Sequence, residues 1–131
     1  MMIQPVNDSP DLTVLERSVL ETLFPSAGLA GGFHEQIDAA SVAVRTPSGV
    51  GFMSKLYVPE EHRVADIAGD TIPVVIGTHP ELPSGAEFVV QVKDGRINCI
   101  EGFCHEGMWP TDESKFDILP GPVTWPMNGG P

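Results

Sequence analysis

The stretch CIEGFCHEGMWP, residues 99–110, gathers two cysteines, two glutamates and a histidine within a short length of chain. These residue types bind metals or act as nucleophiles, acids and bases. The same stretch is also typical of a β-strand that ends in a loop. The spacing of its residues helps to separate the two interpretations.

Cys99, Cys104 and His105 are the candidate metal ligands. The two cysteines are an odd number of positions apart, so on a continuous strand their side chains point to opposite faces of the sheet. Zinc sites usually hold two cysteines closer together on a turn, with a second ligand pair elsewhere, and the remaining histidines offer no matching pair. The sequence therefore predicts no metal site, no cofactor and no disulfide between these cysteines.

A catalytic cysteine needs a base nearby and a lowered pKa. Cys99 falls at a predicted core position, where cysteine usually behaves as a small inert hydrophobic residue. Cys104 adjoins His105, but neighbouring residues on a strand point apart. No second catalytic group stands at a suitable spacing, so the sequence favours a non-enzymatic protein over an enzyme.

Glu101 is the residue that the strand interpretation leaves unexplained. Asp94-Gly95 is typical of a two-residue hairpin loop, and counting outward from this loop pairs Glu101 with Phe88. Glu101 would then share a face with the apolar residues Val90, Val92, Ile97 and Phe103. An isolated carboxylate is costly in such surroundings. It must lie near the open end of the sheet, accept hydrogen bonds, or hold a proton to unusually high pH.

Two interpretations of this carboxylate remain open. In the first, it is structural and ties down the loop at residues 105–110, with Ser54 as one candidate partner. In the second, it anchors a ligand or acts as an acid or base at the mouth of a pocket between sheet and helix. The candidate ligand-binding residues are then Glu101, Ser54, His105, Trp109, Tyr57 and His79.

A helix that could form one wall of such a pocket is predicted over residues 9–24. Ser9 can cap it, Pro10 fits its first turn and Pro25 should end it. Its apolar residues recur at helical spacing, and Glu16 falls outside their stripe. The stripe, which should face the core, consists of Leu12, Leu15, Val19, Leu20, Leu23 and Phe24.

Strand patterns fill most of the remaining chain. Residues 39–59 predict a hairpin that turns at 46–49, with Gly49 in a left-handed conformation, Val44 on the buried face and Arg45 on the other. Further strands are predicted over residues 71–78, over the hairpin 86–104 and over 115–119, and residues 33–37 predict one or two helical turns. The sum is an α+β fold, in which the N-terminal helix packs on an antiparallel sheet of about five or six strands built from hairpins.

The length of 131 residues suits a single domain, 1–131, with an N-terminal extension at 1–8 and an irregular C-terminal tail at 120–131. A hydrophobic content of 41% is typical of a soluble globular protein. No signal peptide or membrane-spanning segment is recognisable. We therefore expect a cytoplasmic protein, which also fits two free thiols.

The net charge is −11, from 18 acidic and 7 basic residues. Such a field repels phosphate backbones and attracts basic surfaces. Nucleic acid and membrane are therefore not expected as partners. The expected partners are a basic protein or a second copy of the chain in a homodimer.

Two stretches, GVGFMSKLYVP at residues 49–59 and SGAEFVVQVKDGRINCIEGFCHEGMWP at 84–110, resemble a group of small uncharacterised bacterial proteins. Those proteins have a leading helix, a Gly-Val-Gly-Phe strand, and an Asp-Gly hairpin that runs into Glu-Gly-Phe or Glu-Gly-Tyr and then Trp-Pro. Cys104 and the Pro/Gly-rich end after Pro120 depart from that pattern. The resemblance implies one compact α+β domain and carries no known activity.

The sequence leaves two functions open. A non-enzymatic protein-interaction module, of inhibitor, immunity or adaptor type, fits the small size, the acidity and the lack of a catalytic constellation. The alternative is a small-ligand-binding protein or weak enzyme with a pocket around Glu101.

Overall fold

The structure, a computed structural model, describes residues 11–26, 32–64 and 74–120. Its helices and strands are α1 (Val14–Ser26), α2 (Phe33–Ala39), β1 (Ser41–Pro47), β2 (Gly51–Tyr57), β3 (Val75–His79), β4 (Leu82–Lys93), β5 (Arg96–Cys104) and β6 (Asp117–Pro120). The strands form one antiparallel sheet in the order β1-β2-β5-β4-β3-β6. The predicted α+β class is confirmed. The predicted extension at 1–8 and the tail beyond residue 120 lie outside the described residues.

Helix α1 begins later than predicted because a capping box fixes its first turn. The Thr13 hydroxyl accepts a hydrogen bond from the Glu16 N–H (3.1 Å), and the Glu16 carboxylate accepts one from the Thr13 N–H (2.8 Å). Asp11 pairs with Ser41 of β1 in an isolated bridge, so the chain is still extended there. The predicted cap at residues 9–10 lies outside the described part of the chain.

The other end of α1 also differs from the prediction. The helix includes Pro25 and continues to Ser26, so the prediction that Pro25 ends it is wrong. A proline in the last turn removes one backbone donor close to where the helix ends, so it costs less there than in the helix interior.

The apolar stripe of α1 lies in the core, as predicted. Its buried members are Leu15, Val19, Leu20, Leu23 and Phe24, and Leu12 packs against them partly exposed. Helix α2 adds Phe33, whose ring stacks on that of Phe24 with centroids 4.3 Å apart. Burying a large apolar side chain contributes about 1.5–3 kcal/mol, so this stripe holds both helices on one face of the sheet.

The β1–β2 hairpin has the predicted positive φ at Gly49 (84°) but not the predicted register. The turn lies at residues 48–51 and not at 46–49, so Pro47 pairs with Phe52 and Arg45 with Ser54. A shift by an odd number of residues turns the side chains beside the turn to the other face, and a bulge between Val42 and Val44 returns Val42 to the buried face. Val44 is therefore 57% exposed and Arg45 points towards the core, the reverse of the prediction.

The β4–β5 hairpin turns at Asp94 and Gly95, as predicted. Both residues have positive φ (59° and 74°), the signature of a type I′ turn. Lys93 pairs with Arg96 in the predicted register.

Further from the turn, a bulge at Asn98 overturns that register. Counted away from the turn, the pairs are shifted by one residue from Gln91 onwards. Glu101 therefore pairs with Val89 rather than with Phe88. Because side chains alternate along a strand, the shift moves Glu101 to the opposite face of the sheet. The prediction that Glu101 lies among the apolar residues of the core is wrong.

The last two predicted strands, β3 and β6, are present with later bounds, and residues 71–73 lie outside the described chain. They pair with each other from Val75–Pro120 to Thr78–Asp117. Short 3₁₀ helices at Glu60–His62 and Glu113–Lys115 join the strands. The second of these lies next to the loop at residues 105–110 and positions an acidic side chain there.

Candidate functional site

The sheet has one face under the helices and one that meets solvent, which we call the open face. The register and the burial pattern along β2, β4 and β5 define it. Its central residues are Val44, Met53, Lys55, Val89, Gln91, Cys99, Glu101 and Phe103. Met53 is 46% exposed and Val44 57%. Exposed apolar side chains that lie next to one another are typical of binding surfaces.

Glu101 lies at the centre of the open face. Its neighbours across the strands are Met53 on β2 and Val89 on β4, so the carboxylate has an apolar side chain on either side. Within the described ranges it makes no hydrogen bond and no ion pair. The carboxylate is exposed to solvent.

Two hollows border Glu101. One, of 180 Å³, is lined by Met53, Val89, Gln91, Cys99 and Glu101. The other, of 330 Å³, is lined by Thr46, Ser48, Val50, Phe52, Met53, Glu101, Gly102 and Phe103. Met53 and Glu101 lie between the two hollows and belong to both, so they form a ridge with a depression on each side.

Cys99 lies beside this ridge, half-buried on the open face, and not in the core as predicted. Burial raises the pKa of the Cys99 thiol, the negative charge of Glu101 raises it further, and Lys55 opposes them. Only the thiolate is nucleophilic. The arrangement therefore disfavours Cys99 as a nucleophile near neutral pH.

Cys104 is the buried cysteine. Its thiol is placed to donate to the carbonyl of Val50 (3.3 Å), and the carbonyl of Gly107 lies 3.8 Å away. The side chain thus anchors the start of the loop at residues 105–110 on the β1–β2 turn. This is a structural role. The predicted register places Cys104 on the face opposite to the core, whereas the structure buries it.

Ser54, the predicted partner of Glu101, lies on the covered face and binds a different carboxylate. Its hydroxyl donates to Oε2 of Glu16, 2.5 Å away. Glu16 is 0% exposed, although the stripe pattern places it outside the core. Its Oε2 also lies 3.6 Å from Nε of Arg45, which pairs with Ser54 across the strands and points inward.

The same polar network continues to the loop at residues 105–110. Nη2 of Arg45 donates to Oε2 of Glu113 (2.7 Å), and Nε1 of Trp109 donates to the same oxygen (2.8 Å). The guanidinium of Arg45 also lies over the Phe52 ring, 4.1 Å from its centroid. We call Glu16, Ser54, Arg45, Glu113 and Trp109 the buried network. Because Glu16 is enclosed, a ligand cannot reach its carboxylate, and its hydrogen bonds stabilise the fold.

A glycine makes room for part of this network. A Cβ at Gly102 would lie 2.8 Å from the Phe52 ring and 3.3 Å from the Trp109 ring. The two aromatic rings, with centroids 5.6 Å apart, can therefore pack over β5 only because position 102 has no side chain.

The remaining predicted site residues are not brought together. His79 is buried, accepts at Nδ1 from the Glu81 N–H (3.0 Å) and lies with Nε2 2.8 Å from the carbonyl of Asp112. His105 is exposed, with Nε2 2.7 Å from the Glu87 carboxylate. Tyr57 lies at the far end of β2 and is 53% exposed. Trp109 and Ser54 belong to the buried network. None of the residues predicted to share a binding site with Glu101 therefore lies on the ridge.

One sequence signal could have identified the buried network. Thr13 and Glu16 form the Thr-x-x-Glu pattern of a capping box, and a glutamate at that position points back over the helix N-terminus. The register that brings Arg45 inward has no comparable signal, because the Pro-Ser-Gly sequence fits a turn at either of two positions and each gives a different register.

No family model, curated protein or solved structure matches this chain. The resemblance of residues 49–59 and 84–110 to small bacterial proteins therefore stays a prediction. Within the described residues, no three His, Cys, Asp or Glu side chains cluster as metal ligands. In that part of the chain no helix is both long and apolar enough to cross a membrane.

Proposed function

We propose that the protein is a non-enzymatic protein-interaction module, of inhibitor, immunity or adaptor type, that binds a basic partner protein through the open face. The observation that carries this proposal is the Glu101 carboxylate, which lies between Met53 and Val89 on an exposed sheet surface and has no partner among the described residues. The enclosed Glu16, which is hydrogen-bonded inside the fold, supports a different role for the carboxylate of the buried network.

The chemistry of the ridge favours a cationic side chain as the group bound. A lysine or arginine of the partner can lay its methylene stem on Met53 and place its charge on Glu101. Covering the surrounding apolar side chains removes water from that ion pair, which makes it stronger than an exposed pair. The two hollows beside the ridge leave room for neighbouring side chains of the partner.

The charge of the whole chain supports the same partner. A net charge of −11 accelerates encounter with a basic protein and makes the association rate fall as salt rises. The raised pKa of Cys99, whose thiol lies beside the ridge, gives little support to a catalytic role for this face.

The test is a pull-down from cell extract with three forms of the chain, followed by binding measurements on the captured protein. We expect wild type and Glu35→Gln, an exposed acid on α2, to capture the same basic protein. Glu101→Lys should lose it, and raising the salt should weaken capture by the two competent forms. Equal capture by all three forms would sink the proposal.

Cys99 provides a second measurement on the same surface. In a Cys104→Ser background, a partner that covers the ridge should slow alkylation of Cys99, since this side chain lines the hollow beside Glu101. Full reactivity of Cys99 in the complex would place the partner elsewhere on the protein.

The alternative function, a small-ligand-binding protein or weak enzyme around Glu101, is favoured by one observation. The hollows of 180 and 330 Å³ both include this carboxylate. A small cation that protects Cys99 and competes with the captured protein would support the alternative. A second copy of the chain as occupant would instead appear as a dimer mass in sedimentation that Glu101→Lys changes.

A further inference from the structure

A third hollow lies at the other end of the sheet, where the β4–β5 hairpin turns. Its volume is 240 Å³, and we call it the hairpin-end hollow. It is lined by Leu56, Tyr57, Val58, Lys93, Asp94, Arg96, Ile97 and Asn98. None of these residues belongs to the ridge at Glu101 or to the buried network.

The charges in this hollow are arranged in an unusual way. Lys93 and Arg96 lie directly opposite each other across the hairpin, and both line the hollow. Two like charges in such a cross-strand pair repel each other. Within residues 11–26, 32–64 and 74–120 neither forms an ion pair with an acidic side chain. Two neighbouring cations without an acidic partner among these residues form a candidate site for an anion.

We propose that the hairpin-end hollow binds the carboxylate of a small organic acid with an apolar body. Nη1 of Arg96 donates to the carbonyl of Val58 at 2.9 Å, which holds the guanidinium in place. Its other nitrogens make no hydrogen bond within the described chain and can form a forked pair with a carboxylate. The ammonium of Lys93 supplies a second charge from the facing strand.

Asp94 limits the negative charge that the hollow can accommodate. It also lines the hollow, so two cations face one carboxylate there. Its repulsion, added to the acidity of the chain, disfavours a dianion such as phosphate and leaves room for a single negative charge.

The apolar part of the lining is small and comes mainly from Tyr57. Leu56, Val58 and Ile97 also line the hollow but are nearly covered. The half-exposed ring of Tyr57 forms an apolar wall with a hydroxyl at its tip. A carboxylate on a short aromatic or aliphatic body fits this combination, since its body can lie against the Tyr57 ring while its charge meets Lys93 and Arg96.

The experiment is an NMR titration of the full chain with three probes: phenylacetate, phenylacetamide and inorganic phosphate. Phenylacetate should produce saturable shifts at the backbone of Tyr57, Ile97 and Asn98. The neutral amide has nearly the same shape, and we expect it to bind about tenfold more weakly because it lacks the charge-assisted hydrogen bonds.

Three variants complete the test. Asp94→Asn keeps the type I′ turn, since asparagine also accepts positive φ, and should tighten phenylacetate binding several-fold. Lys93→Gln and Arg96→Gln should each weaken it, and Lys93→Gln remains informative if Arg96→Gln disturbs the fold. Lys115→Gln, an exposed lysine outside the hollow, should leave it unchanged.

Four results would each overturn the proposal. They are no saturable shifts at the hollow, equal binding of the amide, tighter binding of phosphate than of phenylacetate, and phenylacetate binding that neither Asp94→Asn nor Lys93→Gln alters. The outcome does not depend on Glu101. The proposed function of the open face is therefore tested separately.

Discussion

Two glutamates of this protein face apolar surroundings, one on each side of the sheet. Glu16 is enclosed and fully partnered, by the N–H of Thr13, the hydroxyl of Ser54 and the nearby Arg45. Glu101 is exposed on the opposite face between Met53 and Val89, and within the described chain it has no hydrogen-bond or ion-pair partner.

The contrast separates a structural carboxylate from a candidate binding carboxylate. A buried charge must have partners inside the fold, because leaving it unpaired costs several kcal/mol. A charge that water still reaches carries no such requirement, so the fold can leave it unpaired for a partner. The number of internal partners, and not the apolar surroundings alone, distinguishes the two roles.

The largest expected effect is the loss of stability when the enclosed Glu16 is replaced. Glu16→Ala should lower the free energy of unfolding by about 3 kcal/mol, the lower end for removing one member of a buried ion pair. Arg45 keeps its bond to Glu113, which limits the loss. Glu101→Ala is the matched control and should change stability by less than about 0.5 kcal/mol. Urea denaturation measures both, and equal losses would contradict the distinction.

A smaller effect is expected on the reactivity of Cys99, which lies beside the exposed Glu101. Because burial and the Glu101 charge raise the pKa of Cys99, while Lys55 lowers it, less thiolate is present at a given pH than in an unfolded peptide. In a Cys104→Ser background, Glu101→Gln should lower this pKa and speed alkylation of Cys99, and Lys55→Gln should slow it. Rates measured between pH 7 and 10, the range around about 8.5 where a free thiol titrates, report both changes. Rates that do not respond to either variant would show that Glu101 and Cys99 are not neighbours.

The smallest effect concerns a third carboxylate, exposed but partnered within its own turn. Asp112 accepts hydrogen bonds from the hydroxyl (2.6 Å) and the N–H (3.0 Å) of Ser114, and these hold its pKa below the usual value. A lowered folded pKa contributes stability above the unfolded pKa of about 3.9, and this contribution is lost as the pH falls through the folded value. Asp112→Asn should therefore be slightly less stable than wild type at neutral pH, with the difference shrinking in acid.

Denaturation curves collected from pH 7 to well below the unfolded pKa of about 3.9 test the prediction. Ser114→Ala removes the hydroxyl donor alone and should reproduce part of the difference. A gap between wild type and Asp112→Asn that widens in acid would be the wrong sign and would reject the explanation.

Local signals predicted much of the fold. The Asp94-Gly95 turn, the positive φ of Gly49 and the buried stripe of α1 are all confirmed. Each depends on residues that are close together in the chain, where backbone sterics and helical spacing act directly.

The candidate site was predicted in the right segment but on the wrong face. A regular ladder from the Asp94-Gly95 turn pairs Glu101 with Phe88, and the bulge at Asn98 pairs it with Val89 instead. In this hairpin the prediction of the turn is confirmed and the error begins at the bulge. In the β1–β2 hairpin the turn itself lies at residues 48–51 rather than 46–49, which is why Arg45 and Val44 exchange faces.

The helices, most strands, the Asp94-Gly95 turn and the acidic character of the chain follow from residues that are close together in the sequence. Which carboxylate is enclosed and which is exposed depends on the strand register in the folded sheet. Side chains alternate along a strand, so one additional residue reverses a face. Whether a strand includes that residue depends on packing against partners far away in the chain, such as Ser54 and Arg45 around Glu16.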